Sequence, residues 1–346
     1  MKRPLYSYDL SEDIQLVLDR LGQELAEFNN KTILITGGTG FFGRWLLEIL
    51  CTLIATRNYQ IKIYALSRNP DNFLQEHRSY PFEKYVSFIE GDVSSFKLPK
   101  FKLDYLVHMA TTSATETYSE EDQLRKLELL YNGTKNTLEN AIANGVQKVL
   151  FTSSGVAYGP SNGALLSEDM LQAPLATLPS SALGEGKRVA EFLVAYYAEK
   201  AGYQFSIARC FSFFGQYLPL DIHYALGNFV RDALINPEIT VNGSGQEMRS
   251  YLYIADAWVW MLKMLVESDG EMYNVGSSQA ISIHDLAYRI KMNLAPQKIV
   301  KLLGLHHNTG NFARNVYVPN NAKIINKFNL SEWTSLDEGV KKMAKG

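Results

Sequence analysis

The residues that point most clearly to chemistry form a glycine-rich turn, Gly37-Gly38-Thr39-Gly40-Phe41-Phe42-Gly43. The turn has the spacing G-x-G-x-x-G and stands between a short apolar run and a helix-forming stretch. In that setting one glycine permits a tight turn, one lets the backbone approach a pyrophosphate, and one lets the helix pack closely on the strand. The helix N-terminus presents unpaired N–H groups to the phosphates. The sequence therefore predicts a dinucleotide site, with Gly37, Gly40, Phe41, Phe42 and Gly43 as cofactor-binding residues.

The end of the next apolar run bears on which dinucleotide binds. An acidic residue there would hold the adenosine ribose hydroxyls of NAD. This run ends Ala65-Leu66-Ser67-Arg68, and the first acid after it is Asp71. Arg68 could pair with a 2′-phosphate, and Ser67 could hydrogen-bond to it, so the sequence favours NADP over NAD. The alternative is that Arg68 is a solvated loop residue or stacks on the adenine.

Strands and helices of suitable length must position this turn. Short apolar runs indicate strands, and amphipathic stretches indicate helices. We predict strands at Thr32–Thr36, Ile61–Leu66, Val86–Ile89, Tyr105–Met109, Lys148–Thr152 and Phe205–Arg209. We predict helices at Arg44–Leu53, Glu121–Asn144 and Lys187–Lys200. This alternation implies parallel βαβ units, and hence an α/β Rossmann fold with a doubly wound parallel sheet.

The remaining segments are assigned by their departure from this alternation. Residues 1–30 are predicted to be a helical extension, capped by Ser11, that packs on the main domain or on a second subunit. Residues 31–212 are predicted to be the dinucleotide-binding domain, completed by about 251–290. Within that completion, two helices are expected to return to the sheet, Tyr251–Met264 and Ile283–Ile290. The predicted smaller C-terminal α/β lobe, which binds substrate, comprises 213–250 and 291–346.

Composition excludes several classes of protein. The chain has 346 residues, 46% hydrophobic and 20% charged, which excludes disordered and collagen-like chains. The net charge of −2 attracts neither nucleic acid nor an anionic membrane. Cys51 and Cys210 lie in apolar runs without CxxC partners, which argues against a metal site or a disulfide framework and fits a reducing compartment. Lacking a signal-peptide pattern or a long uncharged apolar run, the chain is expected to be cytoplasmic.

Several short motifs, taken in their order along the chain, resemble those of a known family. Over about residues 31–340 the chain resembles the extended short-chain dehydrogenases/reductases, and among them the NAD-dependent epimerase/dehydratase group that modifies nucleotide sugars. The motifs that carry the resemblance are TGGTGFFG at 36–43, Gly91-Asp92-Val93, His108-Met109-Ala110, Asn132-Gly133-Thr134, Thr152-Ser153-Ser154, Tyr158-Gly159, Gly184-Glu185-Gly186-Lys187, Ala208-Arg209-Cys210-Phe211, Asn228-Phe229-Val230, Arg249-Ser250-Tyr251 with Asp256, and Tyr273-Asn274-Val275-Gly276.

The resemblance implies roles for single residues. Asp92 and Val93 would lie at the adenine, and Ala110 would line the dinucleotide. Lys187 would hold the nicotinamide ribose beside Cys210, and Ser154 would hydrogen-bond the substrate oxygen at the carbon that exchanges hydride. Ser154 and Lys187 are thus the implied catalytic residues. Substrate contacts are expected from Thr112, Ser154, Tyr158, Ser212, Asn228, Arg249 and Arg314. His108 is expected to be a packed residue rather than a catalyst.

The chain departs from the family at its catalytic tyrosine. The family signature is Tyr-x-x-x-Lys, in which the tyrosine is the general base. Four residues before Lys187 this chain has Leu183, which can neither accept nor donate a proton. A positioned acid–base group contributes about 10²–10⁴-fold to the rate. Either redox turnover is slow or absent, or another group substitutes; the candidates are Tyr158, Tyr118, His223 and Glu185.

A second departure concerns the reaction. Related dehydratases carry Asp-Glu just after the Ser/Thr position, and related decarboxylases carry a Glu in that stretch, but this chain has Gly155 and Val156. We therefore expect an epimerase that acts on a nucleotide-diphosphate sugar, in surface polysaccharide or glycoconjugate synthesis. The alternatives are a 4,6-dehydratase or 4-keto reductase with an unusual base, and a binding protein without turnover. The family also implies a homodimer formed through the two longest predicted helices, Glu121–Asn144 and Lys187–Lys200.

Overall fold

The computed structural model describes residues 9–78, 80–111, 122–161, 163–221, 224–304 and 316–345. The strands in this part of the chain are β1 Thr32–Thr36, β2 Lys62–Ser67, β3 Val86–Glu90, β4 Tyr105–His108, β5 Lys148–Ser154, β6 Gln204–Cys210, β7 Phe213–Phe214, β8 Ile239–Val241, β9 Met248–Arg249, β10 Leu252–Tyr253, β11 Glu271–Val275, β12 Ile281–Ser282, β13 Val300–Leu302 and β14 Val316–Tyr317. The α-helices are α1 Ser11–Leu21, α2 Phe41–Arg57, α3 Pro70–Glu76, α4 Phe82–Tyr85, α5 Gln123–Ala143, α6 Ala182–Ala201, α7 Ala225–Ile235, α8 Ile254–Val266, α9 Ile283–Leu294, α10 Ala322–Phe328 and α11 Leu336–Ala344.

Seven of these strands form one parallel sheet, in the order β3-β2-β1-β4-β5-β6-β11. Its chain order reverses between β1 and β4, and the carboxyl ends of strands at such a point form the crevice in which open α/β sheets bind ligands. The predicted fold class is confirmed. All six predicted strands are present within two residues of their predicted ends, whereas the seventh, β11, was not predicted.

Helices cover both faces of the sheet and give it two separate cores. On one face α2 and α8 bury Trp45 and Trp258, and on the other α5 and α6 bury Leu138 and Val194. Side chains alternate between the faces of a strand, so Ile33 belongs to the first core while its neighbour Leu34 belongs to the second. This double burial explains why the strands are continuous apolar runs rather than alternating ones.

Helix α1 packs on the main domain against α2 and α8, as predicted for the N-terminal extension. The prediction that Ser11 caps this helix is wrong. Ser11 is its first residue, and its N–H donates to Asp9 Oδ1 at 2.9 Å. The preceding Leu10 occupies the capping position, where its side chain has no polar atom to offer.

Buried polar contacts also hold α1 in place. The Asp13 carboxylate accepts hydrogen bonds from the Tyr253 hydroxyl, at 2.7 Å, and from Lys342 Nζ in α11. Arg20 Nη1 lies 2.8 Å from Asp256 Oδ1. The extension is therefore joined to residues far along the chain.

The later elements differ most from the sequence predictions. The helix predicted from Tyr251 begins only at Ile254, because Leu252–Tyr253 forms strand β10 beside β7. The helix that begins at Ile254, α8, lies against the sheet as predicted. Helix α9 instead packs on α7 and α11 and does not return to the sheet. Helix α7 was missed because its surroundings are rich in turn-forming residues.

Short strands build the region beyond the main sheet. Strand β13 pairs with β8, and β9 pairs with both β12 and β14. The division of the chain into a dinucleotide-binding domain and a substrate lobe stays a prediction. Within the described ranges, every helix is too short or too polar to cross a membrane.

Candidate active site

A cavity of about 950 Å³ opens at the carboxyl ends of β1, β2, β4, β5 and β6. Most of the predicted cofactor residues line it: Gly37, Gly40, Phe41, Phe42, Ser67, Arg68, Asp92, Val93, Ala110, Lys187 and Cys210. Three of the predicted substrate residues line it as well: Ser154, Ser212 and Arg249. One continuous space therefore joins the glycine turn to Ser154 and Lys187.

The glycine turn is shaped by close backbone approach. Gly37 has φ of 74°, and a Cβ added there would stand 2.9 Å from the Ala110 nitrogen. Gly43 does not line the cavity; a Cβ there would stand 2.3 Å from the Gly37 carbonyl oxygen, so this glycine lets α2 begin directly on the turn. A Cβ at Gly40 would meet protein only at 3.5 Å. Packing therefore explains Gly37 and Gly43, whereas Gly40 leaves open space at the N-terminus of α2, which suits a bound phosphate.

A buried hydrogen-bonded chain supports the turn from behind. Thr36 Oγ1 accepts from the Ala110 N–H at 3.2 Å and lies 2.6 Å from His108 Nδ1. His108 Nε2 lies 3.0 Å from Thr134 Oγ1 in α5. Burial, with a smaller effect of the nearby Lys187 charge, lowers the pKa of His108 to about 3. His108 is thus a neutral packed residue, as expected.

The far end of the cavity is lined by the residues that the sequence predicts to lie at the adenosine, among them Ser67, Asp92 and Val93. Ser67 is buried, and its hydroxyl accepts a hydrogen bond from the Asn69 N–H at 3.3 Å. Asp92 Oδ1 accepts from the Ser94 N–H at 2.9 Å and fixes the turn after β3. Val93 packs on Gly133 in α5, where a Cβ would stand 2.8 Å from Val93 Cγ1. Gly133, in the Asn-Gly-Thr motif, thus allows close packing between α5 and Val93.

Lys187 lies buried at the other end of the cavity. Its Nζ donates to the Thr152 carbonyl oxygen at 2.7 Å and stands 5.0 Å from the centre of the Phe151 ring. Burial lowers the pKa of Lys187 to about 8, opposed by Cys210 and Glu191. The same burial raises the pKa of the Cys210 thiol to about 12, so this cysteine is a neutral side chain beside the lysine.

Sequence reasoning missed the buried ion pair beneath this end. Arg209 donates two hydrogen bonds to the Glu191 carboxylate, at 2.9 and 2.7 Å. The Ser153 hydroxyl donates to the same carboxylate at 2.5 Å. Glu191 stands in α6 and Arg209 in β6, and no local spacing in the sequence signals a contact between these two elements. The network fixes the end of β5, where Ser154 follows.

Leu183 lines the cavity at the position of the family's tyrosine. Neither of the two candidate replacements that lie in the described ranges lines the cavity. Tyr158 is fully buried outside the cavity lining, and its hydroxyl donates to Asn274 Oδ1 at 2.8 Å. Burial raises the pKa of Tyr158 to about 12. Its assignment as a substrate or proton-transfer residue is therefore wrong, since its polar atom already serves the core. Glu185 is also outside the lining.

Aromatic side chains occupy the space beside Gly155. A Cβ added at Gly155 would stand 2.7 Å from Phe211 Cε1 and 2.8 Å from the Tyr317 hydroxyl. A dehydratase-type carboxylate could not be accommodated at this position without displacing one of them. Gly155 therefore fits its surroundings, because the two aromatic side chains leave no room for a Cβ at this position.

The remaining predicted residues are only partly brought to the cavity. Asn228, in α7, does not line it, and its Oδ1 lies 3.4 Å from Arg231 Nη1. Thr112, Tyr118, His223 and Arg314 lie outside the described residues. Three tyrosines that were not predicted do line the cavity: Tyr224, Tyr251 and Tyr317. In the described part of the chain no group of His, Cys, Asp and Glu is arranged to hold a metal ion.

Comparison with known proteins places this fold and cavity in a family. A model described as the NAD dependent epimerase/dehydratase family matches residues 33–276. The chain belongs to this family, which confirms the resemblance read from its motifs.

Curated relatives include several nucleotide-sugar enzymes. UDP-glucuronic acid decarboxylase 1 of Danio rerio is 26% identical over 282 residues, covering 81% of this chain and 64% of that protein. The chain thus spans less than two thirds of that relative. The dTDP-4-dehydro-6-deoxyglucose reductase of Escherichia coli is 23% identical over 286 residues, covering 81% of this chain and 87% of that protein.

Solved structures show the same fold. A UDP-glucuronic acid 4-epimerase from Bacillus cereus, in complex with NAD and a fluorinated UDP-sugar, has a TM-score of 0.75 at 21% identity, covering 91% of this chain and 98% of that one. The UDP-glucose 4-epimerase from Thermotoga maritima with UDP-glucose has a TM-score of 0.73 at 20% identity, covering 91% and 97%.

Proposed function

We propose that this protein is an NAD(P)-dependent epimerase of a nucleotide-diphosphate sugar that acts by transient hydride transfer. One observation carries the proposal: a single cavity joins the glycine turn at Gly37–Gly43 to Ser154, Lys187 and Cys210. A dinucleotide held at the turn would extend along this cavity toward Ser154. The family relatives support a nucleotide sugar as the second ligand.

The residues at the turn and along the cavity fit a dinucleotide. The N-terminus of α2 and the open space at Gly40 would take the pyrophosphate, and Lys187 would hold the nicotinamide ribose. The nicotinamide, when bound, supplies a reversible hydride acceptor. Ser67 and Arg68 at the adenosine end support NADP, because an arginine pairs readily with a phosphate. The solved relative described above contains NAD. The preference of this chain for NADP is therefore our own proposal.

The other end of the cavity would take the sugar and its diphosphate. Arg249 would pair with phosphate oxygens through its guanidinium fork. Ser212 lines the same cavity. Ser154, at the end of β5, would hydrogen-bond the oxygen of the reacting carbon and polarise it. Arg314 and Asn228 stay proposed phosphate contacts.

The choice of epimerisation over elimination rests on Gly155. A 4,6-elimination by the familiar route needs carboxyl groups at this stretch, and Phe211 and Tyr317 fill the space where a side chain at 155 would stand. Transient oxidation and return of hydride need no such group. A 4-keto reduction shares the first half of this chemistry and is the alternative within the enzyme class.

Leu183 supports a second candidate, a family member that binds its ligands without turnover. Its apolar side chain lines the cavity where the family places a general base. The two candidates differ in turnover and not in binding. They can therefore be separated with the purified protein.

The test is incubation with UDP-glucose, UDP-glucuronic acid, UDP-N-acetylglucosamine and dTDP-glucose, in the presence of NAD or NADP. Proton NMR would follow the products, and absorbance would follow reduced nicotinamide. We expect a new epimer without lasting reduction of the dinucleotide, because the hydride returns. Lys187→Met should abolish the reaction, whereas Lys200→Met, at an exposed lysine of the same helix, should not.

Other outcomes separate the alternatives. Lasting consumption of NADPH with a 4-keto sugar would establish a reductase. Calorimetric binding of UDP and dinucleotide without any turnover would establish the binding protein. In that case Leu183→Tyr is informative: a large gain of activity means a lost base, and no gain means that the site has been rebuilt.

We also propose a homodimer formed through α5 and α6. These helices pack on one another and together leave large apolar side chains exposed: Leu124, Tyr131, Phe192 and Tyr196. Phe192 and Tyr196 stack with ring centres 5.9 Å apart, which joins these two side chains into one exposed apolar patch on α6. Such a surface is typical of an interaction site. We assign the enzyme to surface polysaccharide or glycoconjugate synthesis in the cytoplasm, on the strength of the family alone.

A further inference from the structure

The proposed reaction needs a proton-transfer group near Ser154, and residue 183 cannot supply it. We propose that the Tyr317 hydroxyl takes and returns the proton of the reacting sugar hydroxyl, in place of the tyrosine that the family has at position 183. The inference rests on the proposed function, since it assigns a catalytic residue to that reaction. Tyr317 offers the same phenol from a different part of the chain.

Strand pairing brings Tyr317 to the cavity. It ends β14, which runs parallel to β9 and places Tyr317 in register with Arg249. Both residues line the cavity. The ring of Tyr317 packs on Phe211 with the ring centres 4.8 Å apart. Backbone pairing and ring packing therefore both fix the position of the phenol.

Two distances locate its hydroxyl at the reacting end of the cavity. The hydroxyl lies 3.5 Å from the Cys210 carbonyl oxygen and 2.8 Å from where a Cβ of residue 155 would stand. In the sheet, Cys210 is the partner of Ser154 across β5 and β6. The phenol oxygen thus stands at the ends of the two strands that present Ser154 and Cys210 to the cavity.

Gly155 and Tyr317 form a matched pair. Any side chain at 155 would press on the Tyr317 hydroxyl or on Phe211. The glycine that removes a dehydratase-type carboxylate therefore also makes room for a phenol. Tyr158, the one tyrosine among the sequence candidates that lies in the described ranges, is fully buried and does not line the cavity, whereas Tyr317 does.

The proposed step balances without any further reactant. The sugar O–H proton passes to the Tyr317 phenolate, the C–H hydride of the same carbon passes to C4 of the oxidised nicotinamide, and the alcohol becomes a ketone. On return, hydride adds to the opposite face of that carbon while Tyr317 gives its proton back to the oxygen. Ser154 holds the oxygen in both directions. The net change is inversion at one carbon.

Tyr317→Phe tests this role, because it keeps the ring on Phe211 and removes only the hydroxyl. Tyr288→Phe is the matched control, since Tyr288 is an exposed tyrosine of α9. The first measurement needs no turnover. Tyrosinate absorbance is titrated with pH in protein saturated with NADP and, separately, in protein saturated with NAD. We expect one phenol with a pKa below the ordinary value of about 10 in wild type and in Tyr288→Phe, and its loss in Tyr317→Phe.

The second measurement uses the sugar that wild type converts. We expect kcat of Tyr317→Phe to fall by about 10²–10⁴-fold, the usual contribution of an acid–base group. KM for the nucleotide sugar should stay nearly constant, because the lost interaction belongs to the transition state. Leu183→Tyr in the Tyr317→Phe background should restore part of kcat.

The outcomes separate this inference from the proposed function. Undiminished kcat in Tyr317→Phe, with wild-type turnover, overturns the inference and leaves the function standing. If wild type converts no sugar, the proposed function fails, and the titration alone decides the assignment of Tyr317. A phenol at 317 with a lowered pKa then upholds it as the activated group, and an ordinary or raised pKa overturns it.

Discussion

Replacing Lys187 by methionine should remove a pH dependence from the stability of the ligand-free protein. Lys187 is buried, and its pKa falls from 10.5 to about 8 because the charged ammonium is desolvated. One pKa unit corresponds to about 1.4 kcal/mol, so the folded state holds this charge at a penalty of about 3 kcal/mol relative to the unfolded chain. At neutral pH the penalty is present in full.

The sign follows from proton binding. Between pH 8 and 10.5 the unfolded chain holds more protons on this lysine than the folded protein does, so stability rises with pH across that window. Relative to Lys187→Met, wild type should gain about 2 kcal/mol in unfolding free energy between about pH 6.5 and about pH 9.5. Groups away from Lys187 cancel in this difference, and its neighbours His108 and Cys210 titrate outside this window in the folded protein, since the pKa of His108 is about 3 and that of Cys210 about 12.

Urea unfolding of both proteins at several pH values measures the effect. Lys200→Met, at an exposed lysine of α6, provides the control and should follow wild type at every pH. A wild-type minus Lys187→Met difference that stays constant with pH would refute the reasoning, because it would mean that Lys187 is not a desolvated charge. Such a result would also weaken its assignment to the nicotinamide ribose.

Three further outcomes are expected. Arg68→Ala should weaken NADP binding by about tenfold in calorimetry while NAD binding changes little, because a charge-assisted hydrogen bond is lost; equal losses would argue against a 2′-phosphate contact. Asp256→Ala should lower the unfolding free energy in urea by about 3–5 kcal/mol, because Arg20 and the N–H groups of Trp333 and Thr334 lose their acceptor; a loss below about 1 kcal/mol would contradict this. Wild type should scatter light as a dimer and Phe192→Glu as a monomer, and a monomeric wild type would refute the proposed interface.

Local sequence patterns were sufficient for the first six strands of the main sheet, although the short helices α3 and α4 were missed. Strand β1 has the predicted bounds, because an apolar run followed by a glycine turn has few other ways to fold. The end of α5 was equally local: the helix ends at Ala143, one residue before its predicted end at Asn144, and Gly145 follows with φ of 76°. One end of the cavity is built from such segments, and most of the residues that we predict to bind the dinucleotide line it.

The other end of the cavity, where we propose that the sugar binds, depends on pairing between distant segments, which the sequence does not display. Tyr317 reaches the cavity only because β14 pairs with β9, and nothing near residue 317 signals that pairing. Tyr158 was misassigned for a related reason. Its motif placed it after β5, but its contact with Asn274 is decided by β11, a strand that was not predicted.

The two ends of the cavity therefore differ in how firmly they are held. The turn before α2 belongs to a seven-stranded sheet, whereas Arg249 and Tyr317 stand on strands of two residues each. Segments with few backbone hydrogen bonds open locally at a lower free energy than the centre of a sheet. We therefore expect an order in ligand exchange. The dinucleotide would stay resident through many cycles, while sugars enter and leave by brief opening of the β9–β14 pair.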